Sequence, residues 1–276
     1  MSLHVAVTGS GPDLVLLHGW ALNLGVWESL IEQLRGRFRL IAMDLPGHGR
    51  NAGQPFGATP AEQDWLIHQT LATVSNRYSV LGWSLGAQIA LDLAAALPAQ
   101  VERLVLVAGT AKFVASADWT RGIRGATVER LDASLRSDHK RAVREFLKLQ
   151  VRGSARGPLV LQKLQSALRV HGEAEPPALA AGLKRLAESD LRPLLPHVHA
   201  PALVIAGQHD RITLPAASRA LAQGLPDARY VEIRRAAHAP FLSHQSEFVA
   251  VVARFLRSAS AVSTRTRRAR ARRSAS

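Results

Sequence analysis

The chain has 276 residues, 47% of them hydrophobic, no cysteine and a formal net charge of +14. That length supports one substantial core, and the missing cysteine excludes disulfides, thiolate metal sites and a cysteine nucleophile. No apolar run reaches the roughly 18 residues of a membrane span and the N-terminus lacks a signal-peptide pattern, so a soluble, cytoplasmic protein is expected; separately, it is taken to be a monomer.

The first 110 residues alternate short apolar runs with helical patterns. Leu3–Thr8, Leu14–His18, Leu40–Asp44, Ser79–Gly82 and Leu104–Ala108 read as strands. Several are nearly continuous in Val, Leu and Ile, as strands buried on both faces are. Val26–Leu34, Pro60–Val74 and Leu85–Leu97 read as helices. The alternation predicts a mostly parallel sheet with helices on both faces, an α/β architecture. From Lys112 to Ser189 no convincing strand occurs. Thr127–Leu135, His139–Val151, Pro158–Val170 and Pro177–Ala187 read as helices there, broken by Gly153, Gly157, Gly172 and Pro176-Pro177. A buried strand returns at Ala202–Gly207, then a helix near Ala216–Leu225, a strand at Arg229–Ile233 and a helix at Ser246–Leu256. The predicted organisation is a core over 1–111 and 191–257, a helical lid insertion over 112–190 and a disordered arginine-rich tail over 258–276.

The charge divides unevenly along these segments. Residues 112–169 carry thirteen Lys/Arg against five Asp/Glu, and 258–276 carry six arginines and no acid. The remainder holds sixteen of each sign. A partner drawn by charge should therefore meet the insertion or the tail. Arg141, Arg144, Lys148, Arg152 and Arg156 cluster in the insertion, and Arg141, Arg144 and Lys148 fall near one helix face.

Gly82-Trp83-Ser84-Leu85-Gly86 follows a strand and opens a helix, the setting in which Gly-x-Ser-x-Gly presents a nucleophilic serine on a strained turn. Gly82 and Gly86 leave room where larger side chains would strike the neighbouring backbone. A serine needs a base. Of eleven histidines, His238 lies just after the last strand, where open α/β sheets build their sites. Asp210 lies likewise after Ala202–Gly207 and can orient an imidazole. Asp44 and Asp190 are rival acids, though Asp44 in Asp44-Leu45-Pro46-Gly47-His48-Gly49 is read as shaping a tight turn. Two amides are expected to bind an oxyanion, that of Leu85 and that of Trp20 in His18-Gly19-Trp20. The Trp20 side chain is read as a pocket wall or a packing aromatic. No metal or cofactor is implied: His-Glu-x-x-His is absent, and Gly9-Ser10-Gly11 is too short for a phosphate loop and lies between edge-like strands.

These motifs, with Ala236-Ala237-His238-Ala239-Pro240-Phe241, resemble the α/β-hydrolase superfamily over residues 3–257, which implies that fold. The Trp-containing elbow, the His-Gly-Trp loop and Glu145-Phe146-Leu147-Lys148-Leu149-Gln150 look closest to the esterases that free pimeloyl-acyl carrier protein of its methyl ester in biotin synthesis. The resemblance implies Ser84, Asp210 and His238 as triad. It implies Trp20 and Leu85 at the substrate carbonyl, and Phe146, Leu147, Lys148, Leu149 and Gln150 along an acyl channel. It also implies an acidic carrier protein as partner, which the charge map fits independently, with Arg141, Arg144, Arg152 and Arg156 as its expected contacts; a solvated basic helix face with no partner is the alternative, and no nucleic-acid or membrane partner is expected. The tail departs from the family pattern. The alternatives are a broad carboxylesterase for short acyl esters, a carbon–carbon bond hydrolase on the same triad and, in another class, a non-catalytic ligand-binding protein on this fold.

Overall fold

The computed structural model describes residues 3–57 and 59–257; the expected tail, 258–276, lies outside the described residues. Seven strands form one sheet in the order β1-β3-β2-β4-β5-β6-β7. They are β1 (Val5–Thr8), β2 (Asp13–Leu17), β3 (Arg39–Met43), β4 (Tyr78–Trp83), β5 (Val101–Val107), β6 (Ala202–Gly207) and β7 (Ala228–Ile233). Only β1 runs antiparallel, against β3; every other pairing in the sheet is parallel. β4 and β6 are buried throughout because helices cover both faces. Gly9 and Gly11, with φ of 82° and 115°, turn the chain from β1 to β2. The expectation of edge-like strands there holds for β1 and fails for β2, which lies between β3 and β4.

Before the sheet's midpoint the helices are α1 (Glu28–Leu34), α2 (Pro60–Val74) and α3 (Leu85–Ala96). The turn of Leu24–Trp27 ahead of α1 is 3₁₀, capped by Asn23, whose side chain accepts from the Gly25 amide. Between β5 and β6 lie α4 (Gly125–Val151), α5 (Gly157–His171) and α6 (Pro176–Glu188). The two helices expected over 127–151 are one run bent at Asp138, which leaves helical geometry (φ −154°, ψ 90°). Its carboxylate accepts from the Arg141 amide and so starts the second half as a cap would. The segment ahead of α4 forms isolated bridges rather than strands, Val114 to Ile123 and Lys112 to Asp190 among them. After β6 come α7 (Pro215–Gly224), α8 (Pro240–Ser243) and α9 (Gln245–Arg257). The single turn α8 was not expected. Among the described residues no helix is long and apolar enough to cross a membrane.

Candidate active site

Ser84 joins β4 to α3 with φ 57° and ψ −113°, a strained geometry for a residue with a side chain. The two glycines permit it. A Cβ on Gly82 would lie 2.2 Å from the Gly86 carbonyl oxygen, and one on Gly86 would lie 2.2 Å from that of Leu17. The Ser84 amide donates to Val107 O of β5 at 2.9 Å. α3 begins directly after Ser84 and turns its positive end toward the site.

The ends of β6 and β7 bring the other two residues together. Asp210 Oδ2 accepts from His238 Nδ1 at 2.8 Å, with both residues buried. Asp210 Oδ1 accepts from the amides of Ile212 and Thr213 at 2.8 and 3.0 Å, so the carboxylate is aimed from both oxygens. A proton held at Nδ1 leaves Nε2 to accept one. The Trp83 ring, one residue from Ser84, lies 5.5 Å from the His238 ring, which places the imidazole beside the elbow.

The rival acids are engaged elsewhere. Asp44 accepts from the Leu24 amide (2.7 Å) and the Arg50 amide (3.0 Å), and is the turn former it was read as. Asp190 pairs with Arg192 at 2.6 Å and Lys112 at 3.2 Å.

Gly19-Trp20 follows β2. The next residue, Ala21, has φ 64°, so the loop turns sharply just after Trp20. Trp20 Nε1 donates to Leu179 O of α6 at 2.8 Å. Neither the Trp20 nor the Leu85 main-chain amide meets an acceptor among the described residues. Two undirected donors beside a nucleophile are the requirement of an oxyanion site.

His18 secures this loop, a role the sequence reading missed. Its Nε2 accepts from the Leu45 amide and its Nδ1 donates to Gly19 O, each at 2.9 Å. Burial lowers its pKa to about 4. Neighbouring His48, bonded to Pro46 O, is lowered to about 3, chiefly by burial and then by His18. An unfolded chain protonates both rings near 6.5. Their contribution to stability is therefore complete above pH ~6.5 and is lost as the pH falls toward 4. We expect His18→Asn to flatten this acid limb in denaturant titrations run between pH 7 and 4.

A cavity of about 260 Å³ opens against Trp20, Phe146, Leu149, Leu183, Leu186 and Ile212, with Phe113, Leu131 and Arg211 also in its wall. Trp20 is thus a pocket wall, and its ring meets Phe146 edge-on at 4.8 Å. The expectation that all of Phe146–Gln150 lines the channel needs correction. At 3.6 residues per turn, five consecutive residues point around the whole helix. Phe146 and Leu149 reach the cavity. Leu147 is buried in the core, Lys148 is exposed and paired with Glu145 at 2.8 Å, and Gln150 is buried outside the cavity wall. The α6 wall, Leu183 and Leu186, was legible only as an amphipathic helix.

Arg141, Arg144, Arg152 and Arg156 are all exposed. Arg156 also donates to Ser243 O at 2.6 Å, which ties the start of α5 to α8. Among the described residues no three His, Asp or Glu side chains are grouped to hold a metal ion.

The α/β hydrolase fold family matches residues 12–245. A pimeloyl-[acyl-carrier protein] methyl ester esterase of Nitrosomonas europaea is 42% identical, over 90% of this chain and 97% of that protein. One from Nitrosospira multiformis is 36% identical, over 93% and 99%. The solved enol-lactonase of Burkholderia xenovorans LB400 superposes with a TM-score of 0.80 at 26% identity, over 93% and 96%. The chain belongs to the α/β-hydrolase family and, within it, to the branch of the pimeloyl-[acyl-carrier protein] methyl ester esterases.

Proposed function

We propose that this protein hydrolyses the methyl ester of pimeloyl-[acyl-carrier protein], releasing methanol, with Ser84, His238 and Asp210 as its triad. The observation that carries the reading is the buried 2.8 Å Asp210–His238 bond next to a strained serine elbow and two undirected amides.

His238 Nε2 takes the Ser84 hydroxyl proton as Oγ attacks the ester carbonyl carbon. The oxyanion accepts from the Leu85 and Trp20 amides. As the intermediate collapses, the bond to the methoxy oxygen breaks and that oxygen takes the proton from Nε2, so methanol leaves. Water then gives a proton to Nε2 as its oxygen attacks the acyl-enzyme carbonyl; when this second intermediate collapses, the bond to Oγ breaks, Nε2 returns the proton to Oγ, and the acid leaves with Ser84 regenerated. Asp210 stabilises the imidazolium throughout. The apolar wall of Phe146, Leu149, Leu183 and Leu186 suits the polymethylene chain between ester and carrier.

The exposed arginines of α4 support a carrier-borne substrate, since acyl carrier proteins are strongly acidic. A basic face raises encounter with an acidic partner, more so at low salt. Replacing Arg141 and Arg144 by Glu is expected to raise KM for methyl pimeloyl-carrier ~10-fold at low salt. Turnover of free dimethyl pimelate should stay unchanged, and the difference should shrink in high salt. Equal turnover of both substrates by the unaltered protein would favour a broad carboxylesterase instead. Restored growth without biotin in a strain lacking this esterase tests the reading in the cell.

A further inference from the structure

The His238 ring is aimed by Asp210, but its main chain is held separately. Its amide donates to Gln150 O, in the last turn of α4, at 3.1 Å. Its carbonyl accepts from Trp83 Nε1 at 2.8 Å. The loop ahead of it is pinned to the end of β6, where the Arg235 amide donates to Gln208 Oε1 at 3.0 Å. The His209 amide donates to Ala236 O at 2.7 Å, and Gly207 passes so close to Ala237 that a Cβ there would lie 2.0 Å from its carbonyl oxygen. The Trp83 bond is thus a side-chain hold on the His238 main chain.

Trp83 is itself immobile. Its backbone is the last paired residue of β4, opposite Val107 of β5. Its ring is buried against Phe241 at 5.0 Å, edge-on, and against Trp27 at 6.4 Å. One end of this residue is therefore bonded covalently to Ser84, and the other is hydrogen-bonded to His238. Proton transfer requires the base within about 2.6–3.2 Å of the hydroxyl, and a misplacement of ~1 Å can cost ~100-fold. Among natural aromatic side chains, the indole has a ring N–H that only donates, whatever the pH.

We infer that Trp83 is a positioning residue for the base: its indole N–H sets the separation of the His238 and Ser84 main chains. This rests on the triad reading above. It gives the variable residue of the elbow a task beyond packing, because nucleophile and base are spaced by one rigid side chain.

The test compares Trp83→Phe with Trp27→Phe. Trp27 is buried in the same aromatic cluster, but its Nε1 has no hydrogen-bond partner among the described residues. Both variants remove an indole from that cluster; only one releases His238. For Trp83→Phe the expected result is a kcat on dimethyl pimelate ~10- to 100-fold lower, with KM little changed. Labelling of Ser84 by a fluorophosphonate should slow in parallel. Trp27→Phe should keep kcat, with a similar loss in Tm. If Trp83→Phe does not fold, benzothienylalanine at position 83 keeps the shape and replaces N–H by sulfur, and the same loss of kcat is expected. Wild-type kcat in the Trp83 variant, or equal losses in both variants, would overturn the proposal and leave the triad reading intact. Failure of the unaltered protein to label at Ser84 would overturn the triad reading and this proposal with it.

Discussion

Replacing Ser84 by alanine is expected to lower ester turnover by on the order of 10⁶, the scale seen when a triad nucleophile is removed from other serine hydrolases. The fold should survive. Ser84 owes its φ of 57° to the close packing of Gly82 and Gly86, and α3 begins beyond it whether or not the hydroxyl is present. Alanine at that φ costs no more than serine, so Tm should barely move. Substrate binding should persist, because the cavity wall of Trp20, Phe146 and Leu149 is untouched. Residual catalysis would come from the Trp20 and Leu85 amides, which still meet the developing oxyanion. Turnover of methyl pimeloyl-carrier, with binding of the intact ester followed separately, measures both quantities. A variant with normal turnover would remove Ser84 from the mechanism.

Replacing Arg185 by leucine is expected to destabilise the fold by about 3 kcal/mol, the low end for breaking a buried ion pair from one side. For a chain of this size that lowers Tm by about 6–12 °C. Arg185 lies on α6 with its side chain 1% exposed. It reaches Asp64 of α2 at 2.9 Å and Asp92 of α3 at 2.5 Å. Burial raises both carboxyl pKa values, that of Asp92 to about 6, against the opposing pull of the guanidinium. Without that cation the carboxylates rise further and take up protons more readily. Their folded pKa values then lie well above the unfolded ones, so the variant loses stability as pH rises. The deficit should be larger at pH 8 than at pH 5. Thermal melts at the two pH values check the sign. Converting Asp64, Asp92 and Arg185 together to leucine should recover much of the loss. The cation also has a functional bearing. α6 supplies Leu179 O to the Trp20 indole, and its Gly182 packs so tightly on Trp20 that a Cβ would lie 2.9 Å from the ring. A loosened α6 should disturb the oxyanion loop, and kcat should fall with Tm.

The sheet was legible because its strands are short apolar runs bounded by turn residues, and that signal is local. Ser84, Asp210 and His238 were legible for a related reason: each follows a strand at its C-terminal end, where an α/β sheet gathers its site. Ending one helix at Leu135 and starting the next at His139 brackets the bend of α4 at Asp138, though not that the two halves would be continuous. What lies in the helices between β5 and β6 was harder to read. Family likeness marked Phe146–Gln150 as a block, while helix rotation sends Leu147 to the core and Lys148 to solvent. The Arg185–Asp64–Asp92 cluster left no sequence signal, because its members are 28 to 121 positions apart and meet only through tertiary packing. The Trp83–His238 bond was hidden likewise, since an aromatic in an elbow reads the same whether it packs or donates.

The hold on His238 spans 155 positions to Trp83 and reaches back to Gln150 in a different helix. Its chemistry thus depends on chain segments that a growing polypeptide delivers first, in the middle and last. Contacts this remote in sequence form late, after the loop-closure entropy between them has been overcome. A nascent chain that stops short of His238, which follows β7, carries the elbow but has no base, and so no premature esterase activity to release against other cellular esters. For this protein, turnover is a reporter of completed folding, and refolding followed by activity should lag refolding followed by helix content.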